Sequence, residues 1–339
     1  MSAQTAGPET LGHLTDEPDQ QDPNNKRAKA ITGKSPMQIA LGRLMRDKIA
    51  MVCAFVVFVF VMVAIFAGVI ANIFNVSTET VLASTVIDGL TGMPKEGPPD
   101  HGFDPAHPFG VAPQTGDDNL AYWLYGCRTS LMIAGMATLF AATFGILVGL
   151  IAGFAGGIID RMLSFMIDLF LTIPFILAAL SIAPILNERF READNYAQIQ
   201  FWALVGVLAM FGWMPVARLI RGEVLSLRER EFVQAARVLG MPTRRILVRE
   251  LLPNLAAPIV VAVSLMLPTF VAAEAGLAFL GIGVTNGESW GQIIASAVDW
   301  FERYPLFLWE PLVGVVALVL SLNLLGDAIR DALDPKTRR

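Results

Sequence analysis

The chain has 339 residues, of which 54% are hydrophobic and only 16% charged, with a mean hydropathy of +0.56 and a formal net charge of -5. A soluble domain carries about a quarter of its residues charged, so this composition excludes an ordinary soluble enzyme, and no nucleic-acid partner is expected. The apolar residues fall in long runs, the pattern of a chain that lives in lipid.

In chain order, residues 1–36 are rich in Asp, Glu, Pro, Gln and Asn without periodicity and read as a disordered tail. No apolar run follows the start, so no signal peptide is expected. Gly33, Lys34 and Ser35 resemble the close of a phosphate-binding loop. Ala28 stands where its first glycine belongs and no strand precedes it, so a flexible basic tail is the reading. Residues 37–48 form a short amphipathic segment with Arg43, Arg46 and Lys48. Residues 49–73 carry no charge and are long enough to cross a core of about 30 Å. They are span one, and 37–74 are one unit.

Residues 75–127 are a polar excursion with many Gly and Pro and a single lysine, Lys95. His101, Asp104 and His107 make an H-x-x-D-x-x-H pattern, but no regular element aims them as ligands, so a solvated loop is expected and no metal. Cys53 and Cys127 make no metal-binding spacing and are not expected to pair.

The core, 128–329, opens with an uncharged stretch at 130–159, span two. Gly149 and Gly153 form a small-xxx-small step suited to close helix contact. Gly156, Gly157, Asp160 and Arg161 make a tight turn. Span three, 162–186, carries Asp168 and Pro174. An acid in a span faces a partner or a water-filled path, and Asp168 is a possible intramembrane polar site in either role. Span four is 199–216, with Arg218 and Arg221 at its exit. Span five, 255–273, holds Pro258 and Pro268, expected to kink it. Residues 274–283 are apolar but too short to cross, and read as half-entering or interfacial. Trp290, Trp300, Tyr304 and Trp309 suit an aromatic belt at the outer interface. Span six is 311–325, and 330–339 are a polar tail.

Between spans four and five lies 226–254, polar and basic. Ser226 with Glu229 is a capping-box start. Phe232, Ala235, Ala236 and Leu239 share a helix face. Gly240 suits a left-handed stop and Pro242 opens a second helix, with Val248, Leu251, Leu252 and Leu255 on one face. Arg237, Arg244, Arg245 and Arg249 are expected on the wet side. Of the 25 Lys and Arg, only Lys95, Arg128, Arg189, Arg191 and Arg303 fall opposite this hairpin when six spans are threaded. The positive-inside rule then puts the hairpin and both termini in the cytoplasm.

Ala235, Ala236, Gly240, Leu251, Leu252 and Pro253 resemble the EAA loop of ABC-importer permeases. His107-Pro108-Phe109-Gly110, the 125–131 stretch, Glu274-Ala275-Gly276-Leu277, Phe279-Leu280-Gly281, Trp290-Gly291 and the 330–335 ending resemble the dipeptide/oligopeptide (peptide/nickel) branch of that family, its DppC/OppC-like component. Two departures stand out. Gln234 replaces the motif's first acid, keeping hydrogen-bonding reach but losing a charge, and 111–119 replace a short TD-x-x-GRD sequence.

The resemblance implies an all-α membrane protein of six transmembrane helices with a cytoplasmic coupling hairpin, the type I ABC-importer permease fold. It implies a non-catalytic subunit of a bacterial-type inner membrane. The coupling loop would be 222–254, with Phe232, Gln234, Ala235, Ala236, Leu239, Gly240, Arg244, Leu252 and Pro253 docking an ATPase. A second permease subunit, two ATP-binding subunits and an extracytoplasmic substrate-binding protein are the implied partners beside membrane lipid. ATP and Mg belong to the ATPases, with no cofactor on this chain. Dipeptides or oligopeptides are the implied cargo. Nickel chelates or another small solute remain open, as does a stand-alone secondary transporter. The residues themselves show no HExxH, no G-x-S-x-G and no complete Walker A.

Overall fold

The computed structural model describes residues 36–78, 83–284 and 289–334. The tail at 1–35 with Gly33, Lys34 and Ser35, Glu79, and the end at 335–339 lie outside them.

Helix α1 (Pro36–Leu44) leads to α2 (Lys48–Phe74). Asp47 caps α2 by accepting from the N–H groups of Ile49 and Ala50, and Asn75 closes it in the left-handed region. A short α3 (Ala83–Val86) follows. The loop beyond it is tied by isolated bridges between Ile87 and Pro94 and between Val111 and Asp118.

Helix α4 (Asn119–Ala155) starts well before the expected edge of span two. Asp118 caps it through the Ala121 N–H, and Leu120, Ala121 and Leu124 pack on Ala67 and Ala71 of α2. Burial against protein, rather than lipid, holds this turn, so hydropathy alone does not mark it.

Helices α5 (Gly157–Leu171) and α6 (Phe175–Phe190) occupy the place of span three and meet at 82°. Pro174 disfavours helical geometry in the residue before it and caps α6 in extended conformation. Helix α7 (Tyr196–Leu227) runs through Arg218 and Arg221 rather than ending at residue 216. After it come α8 (Glu231–Val238), α9 (Thr243–Arg245), a π-helical turn (Ile246–Leu251) and α10 (Leu252–Asn254).

Helix α11 (Ala256–Phe279) absorbs Glu274–Phe279, so the expected half-entering segment is the buried end of span five. Pro258 sits in its first turn, where a missing donor costs nothing. Then come α12 (Trp290–Ala297), one 3-10 turn (Val298–Trp300) and α13 (Pro305–Leu333). Five of these helices, α2, α4, α7, α11 and α13, are long and apolar enough to cross a membrane, and the bent α5–α6 pair makes a sixth.

The centre is the α4–α7 pair. A Cβ on Gly145 would meet the Trp213 carbonyl at 2.6 Å. On Gly149 it would meet that of Ala217 at 2.7 Å, and on Gly153 the Val224 Cβ at 2.7 Å. The two backbones therefore touch along three turns, and only glycine fits. At the opposite end from residue 155, Trp123 and Trp290 rings lie 5.4 Å apart with Phe60 edge-on to Trp290 at 5.6 Å. Trp290 donates to the Trp123 carbonyl, and Tyr304 to that of Phe109. Trp290 and Tyr304 are wholly buried, so they are core and not belt, while Trp309 is half exposed. Burial holds the Tyr304 phenol above its ordinary range.

Candidate functional site

The polar segment 228–254 is a folded hairpin across the end of the bundle. Its entry differs from expectation. Ser226 belongs to the last turn of α7, and α8 begins at Glu231 after an extended Arg230, so the Ser226–Glu229 pair caps nothing. Packing carries α7 past that local signal, because Val224 is buried between α4 and the hairpin.

Arg228 fastens the entry. Its Nη1 donates to the Gly153 carbonyl at 3.0 Å, one of the last in α4. A cation suits that helix end, where carbonyls lack partners. One layer further in, Arg221 donates to both carboxylate oxygens of Asp160 at the start of α5, and Ser164 also donates to Asp160. Arg218 bonds Asp168 at 2.5 Å. The Asp168 site is thus an ion pair with Arg218 across α5 and α7, not with its neighbour Arg161.

Helix α8 turns one stripe into the bundle and leaves most of the Phe232, Ala235, Ala236 and Leu239 face outside. Val233 and Ala236 join Val224, Ile246, Leu251 and Leu255 in the core. Phe232, Ala235 and Leu239 face outward instead. Two apolar stripes one residue apart compete on this short helix, and the stripe facing Ile246 wins. Arg237 is not purely wet: its guanidinium lies 4.8 Å from the centre of the Phe154 ring at the end of α4.

Gln234 reaches back. Its Nε2 donates to the Arg228 carbonyl at 3.1 Å, a bond that a carboxylate cannot make. Gly240 ends α8 with φ +72°. The Met241 N–H bonds the Ala236 carbonyl and the Gly240 N–H that of Arg237, a Schellman close. Beyond Pro242 the chain returns through the π-helical turn, a form found often at functional sites. Pro253 has no N–H to offer the carbonyl four residues back, and the widened turn ends just ahead of it.

The result is a tip with apolar side chains in the open. Val238 is 87% exposed and Leu239 82%. Phe232, Ala235, Gly240, Arg244 and Pro253 are exposed with them, and Leu252 is half-buried. Val238 was missed in the sequence because it lies off the apolar stripe. Its position beside Leu239, just ahead of the turn glycine, is the signal that marks it.

The H-x-x-D-x-x-H residues go separate ways. His107 Nδ1 bonds Asp118 at 2.6 Å, and Asp104 caps the Ala106 N–H. Among the described residues no group of three His, Cys, Asp or Glu is placed to hold a metal. Cys53 and Cys127 are both buried and unpaired with each other.

Residues 145–339 match the family described as binding-protein-dependent transport system inner membrane component. Residues 35–80 match the N-terminal TM domain of oligopeptide transport permease C. The dipeptide transport system permease protein DppC of Alkalihalophilus pseudofirmus is 32% identical over 326 residues, 96% of this chain and 97% of that protein. The oligopeptide transport system permease protein OppC of Mycobacterium bovis is 38% identical over 225 residues, 66% of this chain and 74% of its own length. A chain of the inward-facing MetNI methionine ABC transporter aligns with a TM-score of 0.49 at 22% identity, covering 63% of this chain and 96% of that one.

Proposed function

The chain belongs to the family of binding-protein-dependent transport system inner membrane components, and from that premise we propose that its hairpin is the lever through which partner ATPases drive peptide import. The chain is an ABC-importer permease of the dipeptide/oligopeptide type and a non-catalytic subunit. In this reading it forms half of a translocation pathway, the other half coming from a second permease subunit. Two ATP-binding subunits, carrying ATP and Mg, seat on the hairpin. A substrate-binding protein delivers cargo at the far end, and both termini with the hairpin face the cytoplasm.

The observation that carries this is the open apolar tip at Val238 and Leu239, beside the turn at Gly240. Large apolar side chains in water at the end of a polar hairpin mark an interaction surface. Phe232 and Ala235 extend it along α8, and Arg244 sets a basic rim that would meet a carboxylate. Closure of the ATPases on nucleotide would push the tip. Arg228 on Gly153, Arg237 on Phe154 and the glycine seam between α4 and α7 would hand that push to the spans.

The test is the intact complex purified from membranes. ATP-hydrolysing subunits and a second permease should copurify with this chain. Leu239→Asp should release the ATPases. Gly240→Val, which meets no neighbour but forces a β-branched residue to φ +72°, should leave the complex assembled and lower substrate-stimulated ATP hydrolysis at least tenfold. Unchanged hydrolysis in both variants would refute the coupling role.

A further inference from the structure

At the end of the bundle away from the hairpin lies a cleft of about 660 Å³. Its walls are the loop after Val111, the first turn of α4, α12 with the 3-10 turn, and α13. Among the described residues that line it, Asp117 and Asp299 are the only carboxylates. Trp300 and Tyr122 supply aromatic surface, Gln292 a carboxamide, and Ser289 a hydroxyl on the floor. Asp117 is half-buried and Asp299 exposed, and among the described residues no Lys or Arg is within ion-pair distance of either.

The walls are held in place before any ligand arrives. The Ala112 N–H bonds the Asp117 carbonyl at 2.8 Å, and the Gln114 N–H bonds that of Gly92. Ser289, which caps α12, is fully buried and neighbours Glu274. Among its described lining residues the cleft thus offers acceptors, carboxylates and ring faces, and no cation.

That chemistry is complementary to one kind of group, a primary ammonium: three N–H donors and a positive charge, attracted by carboxylates and by ring faces alike. We propose that this cleft binds the free amino terminus of a small peptide at the outer mouth of the permease. The proposal rests on the reading of the chain as a peptide importer. It adds a site on the membrane subunit itself that favours cargo with an unblocked amino end.

The experiment uses the full chain with its copurified partners in lipid nanodiscs, without nucleotide and without the delivery protein. Calorimetric titration with Ala-Ala should give saturable binding. N-acetyl-Ala-Ala, which lacks the ammonium, should bind at least tenfold more weakly. Asp117→Asn with Asp299→Asn should weaken Ala-Ala binding at least tenfold while the complex still copurifies. Equal binding of the two peptides, or an unaffected double variant, would overturn the proposal. A second titration adds the delivery protein: a double variant that loses affinity only for that protein would also overturn the proposal, because the ammonium would then be a lysine of that protein. ATP coupling is read separately through the hairpin variants, so a failed titration leaves the importer reading standing.

Discussion

Arg221 holds Asp160 with two hydrogen bonds, 2.6 Å from Nε to Oδ1 and 3.0 Å from Nη2 to Oδ2. The side chains are 29% and 19% exposed, and the pair joins α7 to the start of α5 just after the Gly156 and Gly157 turn. A planar fork on a carboxylate is the geometry in which Arg and Lys differ most.

Arg221→Lys should therefore behave almost as badly as Arg221→Ala. A double-mutant cycle with Asp160→Asn should return a coupling of about 1–3 kcal/mol. Thermal unfolding of the purified protein in nanodiscs measures it. A coupling near zero would show that the fork is ornamental.

Gly149→Ala should cost about 1–3 kcal/mol by overpacking, since its Cβ would sit 2.7 Å from the Ala217 oxygen and 2.8 Å from the Ile220 Cβ. Gly135→Ala on the same helix meets nothing within 4 Å and should be neutral or slightly stabilising. The same melting curves decide between them.

Gln234→Glu restores the acid that the family motif carries, yet it should weaken this hairpin. The Glu carboxylate would face the Arg228 carbonyl with no proton to give, where Gln234 donates at 3.1 Å. Hydrogen–deuterium exchange should speed up at the amides of α8, with a local loss of about 1–2 kcal/mol. Unchanged protection would show that the bond carries no weight.

Trp290→Phe should cost about 1 kcal/mol, because it removes the indole N–H bond to the Trp123 carbonyl, which keeps its own helical partner. Trp290→Ala should cost about 3–5 kcal/mol as the ring contacts with Phe60 and Trp123 go too. Chemical denaturation monitored by the remaining tryptophans reads both.

The transmembrane bundle was legible because lipid demands long charge-free runs, and residues 49–73 meet that demand without help from neighbours. The edges were not. Asn119 to Thr129 is helical through burial on α2, which hydropathy cannot register. Glu274 looked like a boundary because a charge was not expected inside the bundle. Trp290 and Tyr304 looked like belt residues because an amphipathic ring suits a membrane surface and a polar core equally. At the hairpin, the Gly240 turn follows from backbone sterics and was readable. The buried stripe was not, since Phe232 and Val233 are equally apolar and only the position of Ile246 chooses between them.

The seam of Gly145, Gly149 and Gly153 leaves no compliant layer between α4 and α7. Side chains can hop between rotamers and soak up a displacement, but backbone pressed on backbone cannot. The two helices must therefore travel as one stiff strut, about 48 Å long at 1.5 Å for each residue of α7. Bending is left to the joints at its margins, the paired glycines after Ala155 and the elbow at Pro174.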